Sequence, residues 1–180
     1  MNSLTRTLLI ALSVVAVAAV PAALGQAVSA AVAQEEAKAR LAFDVAKRFF
    51  RNENYASAIE RLEAFSLQYP DSLLKPEAVL MENQARFQLG QFEGVVTELQ
   101  GGLSAAGTWS DRYLFWIGEA QFALGQFAKS AEAYGLLIEN YPESVRALEA
   151  ALGQAQAYYQ LDELKQLIAT LEPADGPFQK

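Results

Sequence analysis

The sequence predicts an all-α protein, a solenoid of about four helical hairpins that follows an N-terminal export segment. Two observations lead there. Tyr69-Pro70-Asp71-Ser72 and Tyr141-Pro142-Glu143-Ser144 stand 72 residues apart, and the chain around them repeats with about half that period. The turn residues Glu53, Gly90, Gly125 and Asp162 are spaced by 37, 35 and 37 residues. A fixed period of this size is the pattern of stacked helical hairpins, each of which buries its apolar face only against its neighbours. No run of alternating apolar and polar residues argues for a strand.

Each helix has its own start or stop signal. The spacing predicts helices over 35–51, 55–68, 75–89, 91–100, 110–124, 127–140, 144–160 and 162–171. Gly90 and Gly125 close the first helices of their units, because glycine enters the left-handed conformation at little steric cost. Pro70 and Pro142 cannot continue a helix interior, so the second helices end before them. Ser72 and Ser144 are placed to cap the next helix, as is Ser110 before Asp111. Small residues (Gly118, Ala120, Ala131) mark where paired helices approach, and large ones (Phe122, Phe127, Tyr134) fill the space toward the next hairpin. Phe49, Phe50, Phe87, Phe122 and Tyr159 recur at equivalent places and read as core. Trp109, in the linker Gly107-Thr108-Trp109-Ser110, is expected to pack on the irregular end of the second unit rather than to face a partner.

The copies align residue by residue. Asn54-Tyr55-Ala56-Ser57-Ala58 matches Gln91-Phe92 and Gln126-Phe127-Ala128-Lys129-Ser130-Ala131, while Phe87-Gln88-Leu89-Gly90 matches Phe122-Ala123-Leu124-Gly125. A weaker fourth copy reads Ala157-Tyr158-Tyr159-Gln160-Leu161-Asp162-Glu163-Leu164. Over residues 35–172 the pattern resembles tetratricopeptide repeats, best in the stretch from Trp116 through Gly118, Phe122 and Phe127 to Tyr134 and Pro142. The first copy has Ala46 where the third has Gly118; the second has Asn83 there and Gly101-Gly102 in place of Tyr-Pro, which leaves the end of its second helix open. The resemblance implies a right-handed TPR-like solenoid that binds other proteins. The Tyr-Pro-x-Ser endings are similar to envelope proteins of the Tol-Pal coordinator and outer-membrane-assembly (BamD-like) type. Those assembly proteins are lipoproteins, and this chain has no cysteine to carry a lipid.

The N-terminus carries the second signal. Arg6 precedes an uncharged stretch from Thr7 to Gln34 whose apolar part runs Leu8–Leu24, and Ala31-Val32-Ala33 stands just ahead of Glu35 and Glu36. A positive start, an apolar middle and a small-x-small ending describe a secretory signal peptide over residues 1–33, with Val28-Ser29-Ala30 as a competing processing site. The alternative is an uncleaved membrane anchor, since Leu8–Leu24 approaches bilayer-spanning length. The domains expected are thus the signal or anchor at 1–33, the repeat domain at 34–172 and a tail at 173–180. The location expected is the periplasm, or the inner-membrane surface if the segment stays attached. Lack of cysteine means that stability in an oxidising compartment rests on packing alone.

Composition excludes several functions. The net charge is −7, which disfavours phosphate backbones and anionic headgroups, so nucleic-acid binding is not expected. Arg40, Lys47, Arg48 and Arg51 form one basic cluster, read as a solvated face balanced by Glu35, Glu36 and Asp44. The chain has no His and no Cys, which removes the commonest general base, thiol nucleophiles and the usual zinc ligands. It contains neither a phosphate-cradling Gly-rich motif nor a nucleophile elbow. The carboxylate pairs Glu60 with Glu63 and Asp162 with Glu163 read as exposed helix residues. No enzyme activity, cofactor or metal is expected.

Function in a scaffold of this kind lies on the face lined by the first helix of each hairpin. The resemblance directs Arg40, Lys47 and Arg51 from unit one, Gln84 and Gln88 from unit two, Arg112 and Glu119 from unit three, and Gln156 from unit four toward that groove. Mixed Gln and Arg content suits hydrogen bonding to a peptide backbone. The Lys/Asn/Arg set with which some family members grip a terminal carboxylate is not found in full. On the last helix Leu164, Leu167, Ile168 and Leu171 form an apolar stripe. It folds inward onto unit three, serves as a docking surface, or continues into further repeats of a longer protein.

Overall fold

The computed structural model describes residues 22–171. All regular structure among them is helical. Helix α1 is Ala22–Arg51, α2 Tyr55–Gln68, α3 Lys75–Gln88, α4 Phe92–Gly102, α5 Ser110–Ala123, α6 Phe127–Asn140, α7 Ala147–Gln160 and α8 Leu164–Leu171, with two short 3-10 turns, Leu103–Ala105 and Gly107–Trp109, between α4 and α5. The chain divides into two units, Met1–Lys38 and Ala39–Lys180. Of the first, the described part is helical, exposed for most of its length, and carries the Lys38–Glu35 pair at 2.7 Å. The apolar run expected over Leu8–Leu24 lies, but for its last three residues, outside the described residues. So does the tail at 173–180. The expected processing point after Ala33 falls inside α1, which begins at Ala22 rather than at the expected residue 35.

In the second unit, consecutive helices pair as α1/α2, α3/α4, α5/α6 and α7/α8. The turn inside each hairpin is the same. Glu53, Gly90, Gly125 and Asp162 have φ of 58°, 74°, 70° and 60°. At each, the turn residue donates to the carbonyl three back (Glu53 to Phe50, 3.0 Å) and the next residue to the carbonyl five back (Asn54 to Phe49, 3.0 Å). The same pair of bonds occurs at Gly90, Gly125 and Asp162. This pair of hydrogen bonds around a left-handed residue satisfies two of the orphan carbonyls at the end of the first helix and reverses the chain. A ring pair staples three of the turns: Phe50 with Tyr55 at 5.6 Å, Phe87 with Phe92 at 5.0 Å and Phe122 with Phe127 at 5.1 Å. The fourth copy has Leu164 where the second ring would be, and Tyr159 is 67% exposed rather than core.

The proline boundaries hold but the expected serine caps do not. Leu74, Trp109 and Arg146 occupy the positions ahead of α3, α5 and α7, and none makes a side-chain cap. Instead Ser72 Oγ accepts from Leu74 N–H at 3.1 Å and Ser144 Oγ from Arg146 N–H at 3.0 Å, each tightening the turn after Tyr-Pro by two residues. Helix α7 consequently begins at Ala147 and not at Ser144. Ser110 is already helical, and its hydroxyl donates to Gly107 O at 2.8 Å. A short hydroxyl over a tight turn reaches the next amides before a helix has begun, and that bond competes with capping. After α4 the glycine pair stays helical, the 3-10 turns follow, and Gly107 takes φ 57°. Ala106 is buried there and Trp109 packs on the same apolar cluster, as expected.

Three clusters form the core, each built chiefly from the second helix of one hairpin and the first helices on both sides of it: Phe43, Leu62, Phe65 and Ala78; Leu80, Val95, Leu99, Tyr113 and Ile117; and Phe115, Tyr134, Leu137, Ala147 and Ala150. The closest approach is at Tyr134. A Cβ at Gly118 would stand 2.6 Å from Tyr134 Cε1, and one at Gly153 2.6 Å from Tyr134 Cζ. The ring fills the gap that two missing side chains leave between α5 and α7, and its hydroxyl donates to Glu119 Oε1 at 2.5 Å. A methyl at either glycine overpacks the site, at a cost of about 1–3 kcal/mol.

Candidate functional site

The first helices α1, α3, α5 and α7 lie in series, with α5 touching both α3 and α7. Side chains stitch each to the next. Lys47 Nζ stands 3.2 Å from Glu77 Oε1, joining α1 to α3. The Tyr113 hydroxyl donates to Pro76 O at 2.9 Å, and Phe87 meets Trp116 edge-on at 5.1 Å, joining α3 to α5. Ser144 Oγ donates to Asp111 Oδ2, and the Arg146 guanidinium lies 5.0 Å from the Phe115 ring, joining α5 to the start of α7.

Counting back from the turn residue of each hairpin orders the face. Positions thirteen, six and two residues ahead of it fall on one side of a helix, since steps of seven and four return to the same face. The sixth gives the row Lys47, Gln84, Glu119, Gln156, so one sequence-derived residue from every first helix shares a register. The thirteenth gives Arg40, Glu77, Arg112, Glu149, a row of alternating charge; Glu77 and Glu149 were missed by the sequence reading, although the same count finds them. The second gives Arg51, Gln88, Ala123 and Gln160. Arg40, Arg51, Gln88 and Gln156 are exposed, while Lys47, Gln84, Arg112 and Glu119 are half-buried.

Several of these groups already have work within the fold. Lys47 holds Glu77 and lies 5.0 Å from the Phe43 ring. Arg112 lies 4.8 Å from the Trp109 ring and 3.4 Å from Asp111 Oδ1. Glu119 accepts the Tyr134 hydroxyl, and burial together with that carboxylate pushes the Tyr134 phenol well above its ordinary range. What the face offers a ligand is thus a set of exposed amides and guanidinium groups, those of Gln88, Gln156, Arg40 and Arg51. At the α7 end lies a cleft of ≈ 370 Å³ lined by Phe122, Leu152, Ala155, Tyr159, Leu167 and Leu171, with Gln156 on its wall.

A second polar assembly escaped the sequence reading. The Arg86 guanidinium is held by carboxylates from three helices: Glu63 of α2, Glu82 of its own helix at 2.7 Å, and Glu98 of α4 at 3.6 Å. Glu82 is 2% exposed. Burial first, then the nearby Glu98 and Glu63, push its carboxyl up to about 7 against the lowering by Arg86, while the surrounding acids hold Arg86 above its ordinary value. Nothing short of the fold brings these four residues together, so no motif announces them. Among the described residues no group of three His, Cys, Asp or Glu side chains is arranged to hold a metal ion, and no helix is long and apolar enough to cross a membrane.

Residues 112–144, from the start of α5 through the Tyr-Pro turn, match the family model described as Tetratricopeptide repeat. Two crystal structures of Podosopora anserina kinesin light chain nearly identical TPR-like repeats superpose on the chain. One, a point variant, has a TM-score of 0.64 at 16% identity over 80% of this chain and 81% of that one. The other has a TM-score of 0.63 at 15% identity, with the same coverage. The fold is a TPR-like repeat array. No curated protein matches the sequence. The four left-handed turn residues and the row six residues ahead of them recur at the same place in every hairpin, as the alignment of copies implied.

Proposed function

We propose that the protein is a non-catalytic interaction scaffold of the bacterial cell envelope, which binds a segment of another protein along its first-helix face. The observation that carries the reading is the row Lys47, Gln84, Glu119, Gln156, flanked by Arg40, Arg51 and Gln88, set in one register on four helices that are stitched to one another. A rigid row of amides and guanidinium groups supports recognition of an extended or helical backbone, because little ordering entropy remains to be lost on binding. The envelope location is supported by the signal-like N-terminus. Its resemblance to Tol-Pal coordinator and outer-membrane-assembly proteins favours partners among envelope proteins.

The experiment is site-specific photo-crosslinking in cells from Gln84 and Gln88, with Glu60 on the opposite helix as control, followed by envelope fractionation and mass spectrometry. A reproducible envelope protein captured from Gln84 and Gln88 but not Glu60, and lost on Arg51→Glu, is the expected result. Capture of cytoplasmic proteins alone overturns the location, and equal capture from Glu60 overturns the face. A second reading, a scaffold tethered to the inner membrane, is favoured by the uninterrupted passage of α1 through Ala33 and Gln34. The N-terminal sequence of the protein recovered from cells decides between the two.

A further inference from the structure

Three times in this chain the second helix of one hairpin is covered by the first helix of the next, and the cover uses fixed positions. Five and nine residues after the turn residue, the second helices carry Ala58 and Leu62, Val95 and Leu99, and Ser130 and Tyr134, all buried. Twelve residues ahead of its own turn residue, the covering helix carries Ala78, Tyr113 or Ala150, again all buried. The two helices run antiparallel, with Gln154 of α7 donating to Ala131 O of α6 at 3.0 Å.

Helix α8 repeats the first half of this arrangement without the second. Leu167 and Leu171 stand five and nine residues after Asp162, yet both are only half-buried. They line the ≈ 370 Å³ cleft with Leu152 and Tyr159. Leu152 is 47% exposed, whereas Phe43, Leu80 and Phe115 at its position are buried. The cleft is therefore the seat of a first helix, with none of the described residues in it. At the other end of the array α1 is a first helix whose covering face is open: Leu41, at the position of Ala78, Tyr113 and Ala150, is 69% exposed.

We infer that a second copy of the chain seats its α1 in the α7/α8 cleft, so that the array continues from one molecule into the next. The antiparallel register sets Leu41 of one copy toward Leu171 of the other. It brings Arg48 to the start of α8, where Glu163 supplies the opposite charge. Arg48 and Asn52 replace the buried Ala85, Ala120 and Ala157 and the leucines Leu89, Leu124 and Leu161 of the later copies, which makes this junction weaker than those inside the chain. The contact is heterologous, each assembly keeping one seat and one α1 face open, so association rises with concentration and does not stop at two copies.

The inference is independent of partner binding, and purified chain alone tests it. The protein has no cysteine of its own. Leu41→Cys and Leu171→Cys variants, mixed and oxidised, are expected to give a mixed disulfide well above the homodimer formed by either alone. Arg48→Ala with Asn52→Leu restores the covering pattern and is expected to strengthen association at least tenfold in sedimentation velocity, a gain that no loss of folding can imitate. Disulfides confined to Leu171→Cys with itself would show a symmetric junction, and an unchanged monomer for the Arg48→Ala, Asn52→Leu variant would show a seat meant for some other helix. Either outcome overturns the inference.

Discussion

Glu82 shows how much one buried side chain can make of the surrounding charge. Arg86 can neutralise one of the three carboxylates that reach it, and Glu82, shut away from water, is the one that holds a proton most readily. Because its folded pKa of about 7 lies above the ordinary value, the contribution to stability is full at acid pH and is lost as the pH rises through 7. Stability is expected to fall between pH 5 and pH 8, by on the order of 2 kcal/mol from this one group, and the melting temperature with it. Glu82→Gln, which imitates the protonated form, is expected to flatten that slope in scanning calorimetry. A slope unchanged by the substitution would mean that Glu82 stays ionised throughout.

At the level of the element, the hairpin turn separates backbone conformation from packing. A Cβ at Gly90 or Gly125 would meet nothing within 4 Å, so their only constraint is the positive φ. Gly90→Ala is expected to cost about 1 kcal/mol in urea unfolding, the penalty of a left-handed residue with a side chain. Glu53 and Asp162 already bear it, so Glu53→Gly is expected to be neutral or to raise the unfolding midpoint. Turns were legible in the sequence because their signal is local: four residues in a fixed period, two of them glycine. The caps were misread for the same reason. A serine shortly before a helix looks identical whether it caps the helix or tightens the turn, and only the bond from Leu74 or Arg146 N–H to its Oγ tells them apart.

On the scale of the whole molecule, hairpins that touch only their neighbours make stability a sum over junctions. Removing residues 147–180 takes away α7 and α8 and exposes Tyr134, but leaves the two earlier junctions whole. The shortened chain is expected to keep the helical circular dichroism of α1–α6 and to melt at lower temperature, with loss of all structure on truncation the contrary result. The fold was readable almost helix by helix, since period and punctuation survive in one dimension. The eight residues chosen from the sequence for a groove fall on three positions of the repeat that share a helix face, a register that follows from the spacing itself. Their employment was not readable, because whether Glu119 meets a ligand or the Tyr134 hydroxyl depends on a residue fifteen positions away in the next helix. The cluster about Arg86 draws on three helices, and no spacing announces it; the open seat beside α8 shows in the sequence only as the apolar stripe of the last helix.

The ring of Tyr134 has a consequence in time. An aromatic ring pressed between Gly118 and Gly153 cannot turn over until α5 and α7 draw apart, so each half-rotation reports one opening of the third junction. The two edges of the ring should then resolve as separate nuclear resonances in the cold and merge on warming. The temperature at which they merge is a clock for the breathing of the array, wound by the absence of two methyl groups.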